Sequence, residues 1–189
     1  LTISGANPIL SQRTFNQQST SGTWSGTGTL SLQAAAVFNN SGTLTATGDG
    51  FLRNDSASAT FNNSGSFVKN GGAGQTTIDR TGGGPFTVNN TGTLDVQSGT
   101  LQVGGNPVFN NDGVVNVASG KTFAIASVVG GAGSGDYVIA STGQVNFTNS
   151  TQTFNAGADI SGAGTFSVRS GTLTVAAALS ADNLAQTGG

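Results

Sequence analysis

Val88-Asn-Asn-Thr-Gly-Thr-Leu-Asp-Val-Gln-Ser-Gly-Thr-Leu-Gln-Val-Gly-Gly-Asn-Pro-Val-Phe-Asn-Asn-Asp-Gly-Val-Val-Asn-Val117 is the stretch that decides the fold. It holds three short runs, Thr93-Leu94-Asp95-Val96, Thr100-Leu101-Gln102-Val103 and Val114-Val115-Asn116-Val117. In each, apolar residues fall two apart with polar residues between them, which is the period of a half-buried strand and not of a helix. Before the first and third runs stands Asn-Asn-x-Gly, read as a turn.

Outward from this stretch the same unit recurs. Its turn glycine falls at Gly42, Gly65, Gly92 and Gly113, at intervals of 23, 27 and 21 residues. Weaker copies follow at Ser141–Phe147 and Gly162–Val168, and a shorter Ser-Gly unit lies between at Ser98, Ser119 and Ser170. A repeat of 20 to 30 residues carrying two or three strands signals a solenoid, whose coils bury a core only by stacking on one another. The fold expected is an all-β, right-handed parallel β-helix (β-solenoid) with coils of about 21–27 residues.

Within that frame Leu44, Leu94, Leu101, Val115, Phe123, Val145, Phe166 and Leu173 are expected to point inward. Phe38, Phe61 and Phe109 precede the Asn pair at equivalent places and are expected to stack as an aromatic ladder. Asn is read here as the residue for left-handed corners and for side-chain bonding along the stack. Gly is read as the residue whose backbone freedom makes the corners. The Gly-rich segments Gly71–Gly74, Gly82–Gly84 and Gly130–Gly135 are read as loops that absorb the variable coil lengths. All 189 residues form one domain in this reading, with 1–23 irregular or capping, 24–175 repeat coils, and 176–189 a terminal coil or linker.

Composition narrows function mainly by exclusion. Only 7% of residues are charged, against roughly 25% in ordinary globular chains. A net charge of −2 lacks the basic stripe that would neutralise phosphates, so no nucleic-acid partner is expected. No apolar run approaches the roughly 20 residues of a membrane-spanning helix, so this segment is not expected to insert in a membrane. Cys and His are absent, which removes disulfides, thiolate chemistry and zinc–sulfur sites. The start at Leu1, without initiator Met or signal peptide, sets the expectation of a fragment of a larger protein.

Phe38-Asn-Asn-Ser-Gly-Thr-Leu, Gly65-Ser-Phe-Val-Lys-Asn-Gly-Gly and the stretch from Val88 to Val103 resemble the repeat regions of very large bacterial surface β-solenoid proteins, the adhesins and autotransporter-passenger-like chains. The resemblance spans about Trp24 to Val175. It implies an extracellular, bacterial cell-surface location and a non-enzymatic structural or adhesive role. Host or environmental glycans, or surface proteins, are the implied partners, and end-to-end self-association as a filament subunit is a second possibility.

Four constellations are weighed against bland readings. The first is Asp49, Arg53 and Asp55 with Asp79 and Arg80 one coil on, the densest charged group. A polysaccharide lyase or hydrolase on this fold would need two carboxylates, or a carboxylate and a base, on one groove. The bland reading is solvated loop charges and a surface ion pair. The second is Gly130–Tyr137, which approximates the calcium repeat G-G-x-G-x-D with Asp136 one place late and no tandem copy. Outward Thr43, Thr45, Thr172 and Thr174 are the third, suggesting a Thr-x-Thr ladder of the kind that binds ice. Their equivalent places are read as Asp95, Gln97, Gln102 and Lys121, which breaks the array. Trp24 and Tyr137 are the fourth, a sugar-stacking platform on one reading and core residues on the other. No catalytic, cofactor-binding or metal-binding residue is assigned from the sequence, and no cofactor is expected.

Overall fold

The computed structural model describes residues 1–188. It is all β, with 26 short strands stacked in parallel. Two nine-stranded sheets run the length of the molecule, and each takes every third strand in sequence. The third side is a five-stranded sheet continued by a three-stranded one. The chain is therefore a three-faced β-solenoid of eight coils, with part of a ninth. A parallel crossover within one sheet is right-handed in nearly all proteins, which is the hand expected from the sequence.

Each coil begins on the first face. Coils three, four and five open with Thr43–Ala46, Ser66–Lys69 and Thr93–Val96. Their second-face strands are Phe51–Asn54, Gln75–Arg80 and Thr100–Gly104. The third-face strands are Ala59–Asn63, Phe86–Asn90 and Val108–Asn111. Residues 1–23 form strands in register with the second coil, for Phe15 pairs with Phe38 and Ile3 with Trp24. At the other end Leu184–Gln186 pairs with the strand Thr165–Val168.

The inward residues read from alternation are in place. Leu44, Leu94, Leu101, Val115, Phe123, Val145 and Phe166 are wholly buried, and Leu173 packs half-buried on the core. The aromatic stack holds as well, with the rings of Phe38 and Phe61 5.4 Å apart. It begins one coil earlier than expected, at Phe15, 5.3 Å from Phe38. Val88 interrupts it, standing between Phe61 and Phe109.

Two expectations about the Asn-Asn-x-Gly unit need correction. Its asparagines do not occupy left-handed corners; they end the extended third-face strands, and none has a positive φ. Nor do its glycines supply unusual backbone angles. Gly42, Gly65, Gly92 and Gly113 form a column in which each Cα faces the backbone of the coil before it, leaving no space for a Cβ. Close approach selects glycine there. The Gly130–Gly135 segment is also more than a loop, because Ala132–Gly133 forms a strand that carries the third face onward.

The asparagines build two ladders on this face. Inside, Asn40, Asn63 and Asn90 each donate through Nδ2 to Oδ1 of the next, ending at Asn111, with every rung 2.7 Å. The same Nδ2 groups of Asn40 and Asn63 donate to the carbonyls of Ser66 and Thr93, which fixes which amide end is which. Outside, Asn39, Asn62, Asn89 and Asn110 each donate backwards at 2.8 Å, starting from Asn16. The two chains of amide dipoles thus run in opposite directions. Gln17 cannot extend the inner ladder, because its Nε2 is spent on the carbonyls of Ser19 and Thr43, and Asn40 Oδ1 is left without a donor.

Burial makes the two ladders differ in energy. Asn63→Ala removes the acceptor for Asn40, leaves Asn90 Oδ1 without a donor in a dry interior, and takes from the Thr93 carbonyl the side-chain donor it has beside its strand-ladder bond. A loss of about 2 kcal/mol is expected, lowering the melting temperature by about 4–8 °C. Asn62→Ala breaks outer rungs that water can replace, and should stay within about 0.5 kcal/mol. Thermal unfolding of the pair checks this, and equal losses would contradict it.

Candidate functional site

The charged group resolves into separate structural ties. Arg53 makes a bidentate pair with Asp79, both bonds 2.7 Å, across neighbouring coils of the second face. Its guanidinium also lies over the Phe51 ring, 4.4 Å from the centroid. Asp55 accepts from the Ser31 hydroxyl and, at 3.0 Å, from Thr81 Oγ1. Arg80 reaches only the Gly84 carbonyl, at 3.4 Å. Asp49 stands elsewhere, paired with Lys69.

That lysine is the residue the sequence reading passed over. Lys69 follows Phe67 by two and so takes an inward place, in the column between Ala46 and Val96. It is wholly buried, and its Nζ donates to Asp49 Oδ1 at 2.6 Å, to the Gly48 carbonyl at 3.0 Å and to the Gly71 carbonyl. Asp49 remains 31% exposed. The Lys69 hydrogen bond holds its carboxyl below the usual carboxylate range; burial opposes this, and the Gly74 N–H adds to it. Together these bonds clamp the Gly71–Gly74 insertion that lengthens coil four.

Around Gly130–Tyr137 the backbone turns through Gly131, with a φ of 132°, and Asp112 Oδ1 accepts from the Ser134 amide. Among the described residues no three Asp side chains converge as metal ligands. Trp24 and Tyr137 are both buried, so neither presents a ring to solvent. Tyr137 packs between Phe154 and Phe166, with centroids 5.4 and 5.2 Å away. Burial raises its phenol well above the ordinary value, although the Asn111 amide beside it works the other way without completing a hydrogen bond.

The threonines separate in a way the sequence reading did not foresee. Thr43 and Thr45 lie on the first face, where Asp95 does interrupt the column of Thr45. Gln102 belongs to the second face, and Gln97 and Lys121 are outside the strands. Thr172 and Thr174 lie on the third face, and their partners are Thr151 and Thr153. Followed back through the register, Thr153 pairs with Ala132, whose amide bonds to Asn110. One outward column therefore runs Thr14, Val37, Thr60, Thr87, Val108 and Gly130, and resumes at Thr151 and Thr172 beyond a bulge at Val129–Gly130, where the Thr151 amide bonds to the Val128 carbonyl and Val129 is exposed. The other reads Asn16, Asn39, Asn62, Asn89, Asn110, Ala132, Thr153, Thr174.

No charged residue stands in either column. The first face by contrast presents Asp95 and Asp136 outward, and the second carries the Arg53–Asp79 pair. A groove of about 580 Å³ runs beside the Asn column, bordered by Asn89, Asn110, Asp112, Ala132 and Asn155. Stiff β-branched side chains occupy one column except at Gly130, and the amide ladder fixes much of the other. The third face is the side whose strands carry no charged residue.

Compared with known protein families, with curated proteins and with solved structures, the chain matches none.

Proposed function

We propose that the chain is a non-enzymatic structural and adhesive module of a secreted, cell-surface bacterial protein: a stiff rod that presents one repetitive face. The observation carrying this is the third face, uncharged in both outward columns through eight coils. The rest of the solenoid supports it. Coils paired strand to strand on three sides resist bending, and a repeat stack lengthens without needing a new core. The carboxylates that would serve a polysaccharide-cleaving groove are engaged elsewhere, Asp79 by Arg53 and Asp49 by Lys69.

A glycan-array and polysaccharide-turnover screen, with and without calcium, tests the reading. Adhesion without turnover is expected. Turnover that disappears in Asp79→Asn or Asp49→Asn would overturn it in favour of a carbohydrate-active β-helix.

A further inference from the structure

The two columns of the third face form a lattice. Successive rungs repeat at the strand spacing of about 4.8 Å, and the columns stand two residues, or about 6.6 Å, apart. Eight rungs extend over about 34 Å at that spacing. The one departure is coil six, where a one-residue bulge sets the exposed Val129 beside Gly130, and Ala132 stands in place of Asn.

The chemistry of the lattice is narrow. Thr and Val present methyl groups held by a stiff χ1. Thr adds a hydroxyl beside the methyl. Each Asn in the interior of the outer ladder spends one N–H and one lone pair on its neighbours, keeping one of each for solvent. Side-chain ladders of this kind also favour a flat sheet over a twisted one.

An arrangement of this sort suits few partners. A protein interface draws its energy from large anchors such as Trp, Tyr and Arg in desolvated pockets, and these columns have none. A sugar site takes its ligand in a concave pocket lined with aromatic side chains, and the aromatic residues of the stack lie inside, with only Phe15 at its first coil half-buried. What remains is a partner that is itself a flat, uncharged, periodic array of hydrogen-bonding groups. Against such a solid many weak contacts form at once, and prefixed side chains lose little entropy in making them. A charge would hold its own hydration shell and spoil the match.

We propose that the third face binds ice. The methyl groups of Thr60, Thr87, Val108 and their column order the adjacent water, and the spare donors and acceptors of Asn62, Asn89 and Asn110 anchor that ordered layer to the crystal. The proposal rests on reading this face as the adhesive one, and names the surface it adheres to.

The test compares Thr87→Tyr with Thr93→Tyr. Thr87 stands mid-lattice between Thr60 and Val108, whereas Thr93 points outward from the first face between Ser66 and Val114. Incorporation of the labelled protein into a growing ice hemisphere, and inhibition of ice recrystallisation, are measured beside binding to crystalline cellulose and chitin. Thermal unfolding verifies that both variants fold, and Thr60→Lys gives a second disruption of the lattice.

Ice incorporation by the unaltered chain, lost in Thr87→Tyr and Thr60→Lys but kept in Thr93→Tyr, is the expected result. No ice incorporation, or equal loss in all three variants, overturns the proposal. Binding to cellulose or chitin without ice overturns it too, while leaving the adhesive reading standing. Failure on every surface removes both.

Discussion

Gly92→Ala is expected to destabilise the solenoid by at least about 3 kcal/mol, lowering the melting temperature by roughly 6–12 °C. A Cβ added at Gly92 would sit 2.7 Å from the carbonyl carbon of Ser64 and deeper still against the carbonyl oxygen of Gly65. Those atoms are backbone, so no rotamer change relieves the clash. The coil would have to lift away from its neighbour, and the glycines before and after it in the column leave no slack. Lifting stretches inter-coil bonds such as Thr93 N–H to the Gly65 carbonyl, 2.8 Å, and Val114 N–H to the Gly92 carbonyl, 2.8 Å. Gly83→Ala is the control, since a Cβ there meets nothing within 4 Å and the φ is ordinary. It should be neutral or gain a few tenths of a kcal/mol from a less flexible unfolded chain. Equal melting temperatures for the two variants would show that close approach is not what selects glycine in the column.

That contrast also marks where sequence reading stopped. The period and the alternation were legible, because Phe38, Leu44, Phe61 and Leu94 repeat at places that only a stacked strand explains. The reason for each glycine was not. A one-letter pattern reads the same whether glycine is needed for a positive φ or for a bare Cα, and only coil-to-coil distance separates the two. The asparagines failed similarly. Asn-Asn-x-Gly was assigned wholly to a turn, yet the turn begins after the second Asn, and the alternation from Phe61 through Asn63 already placed that residue inward.

The third face was hidden for another reason. Its rungs at Thr151 and Thr172 lack the Asn-Asn signature of Asn62 and Asn89, so they could be aligned with the earlier coils only through the pairing of Ala132 with Thr153 and the bridge from Val108 to Gly130. Threonines from two faces were consequently compared as one array, against places that include the second face and the loops. Phe15 escaped for want of the same signature, since Asn16-Gln17 stands where later coils have Asn-Asn. Lys69 carried a usable signal, an inward place by parity with Phe67, that general expectation about lysine overrode.

Lys69→Ala should cost about 3 kcal/mol or more, and Lys69→Met distinctly less. Truncation to Ala empties a fully buried site between Ala46 and Val96 and takes the Lys69 donor from the Gly71 carbonyl and from the Gly48 carbonyl, which keeps only Thr76 Oγ1, at 2.8 Å. Methionine loses the same donor but keeps the volume filled. Asp49 tolerates either change, because at 31% exposure water can solvate it once the lysine has gone. The pair also predicts a pH response whose sign is fixed. Asp49 has its folded pKa depressed below 3.8, chiefly by Lys69. Its contribution is therefore complete above that value and is lost as pH falls through the lower folded pKa. The unaltered chain should lose stability on acidification below about pH 4. Lys69→Met should lose less over the same window, since its Asp49 titrates closer to the unfolded value. Denaturant unfolding between pH 2 and pH 7, compared for the two proteins, reads the difference. Parallel curves would mean that Lys69 holds its coil by packing alone, and that the carboxylate at Asp49 adds nothing to the clamp on the Gly71–Gly74 insertion.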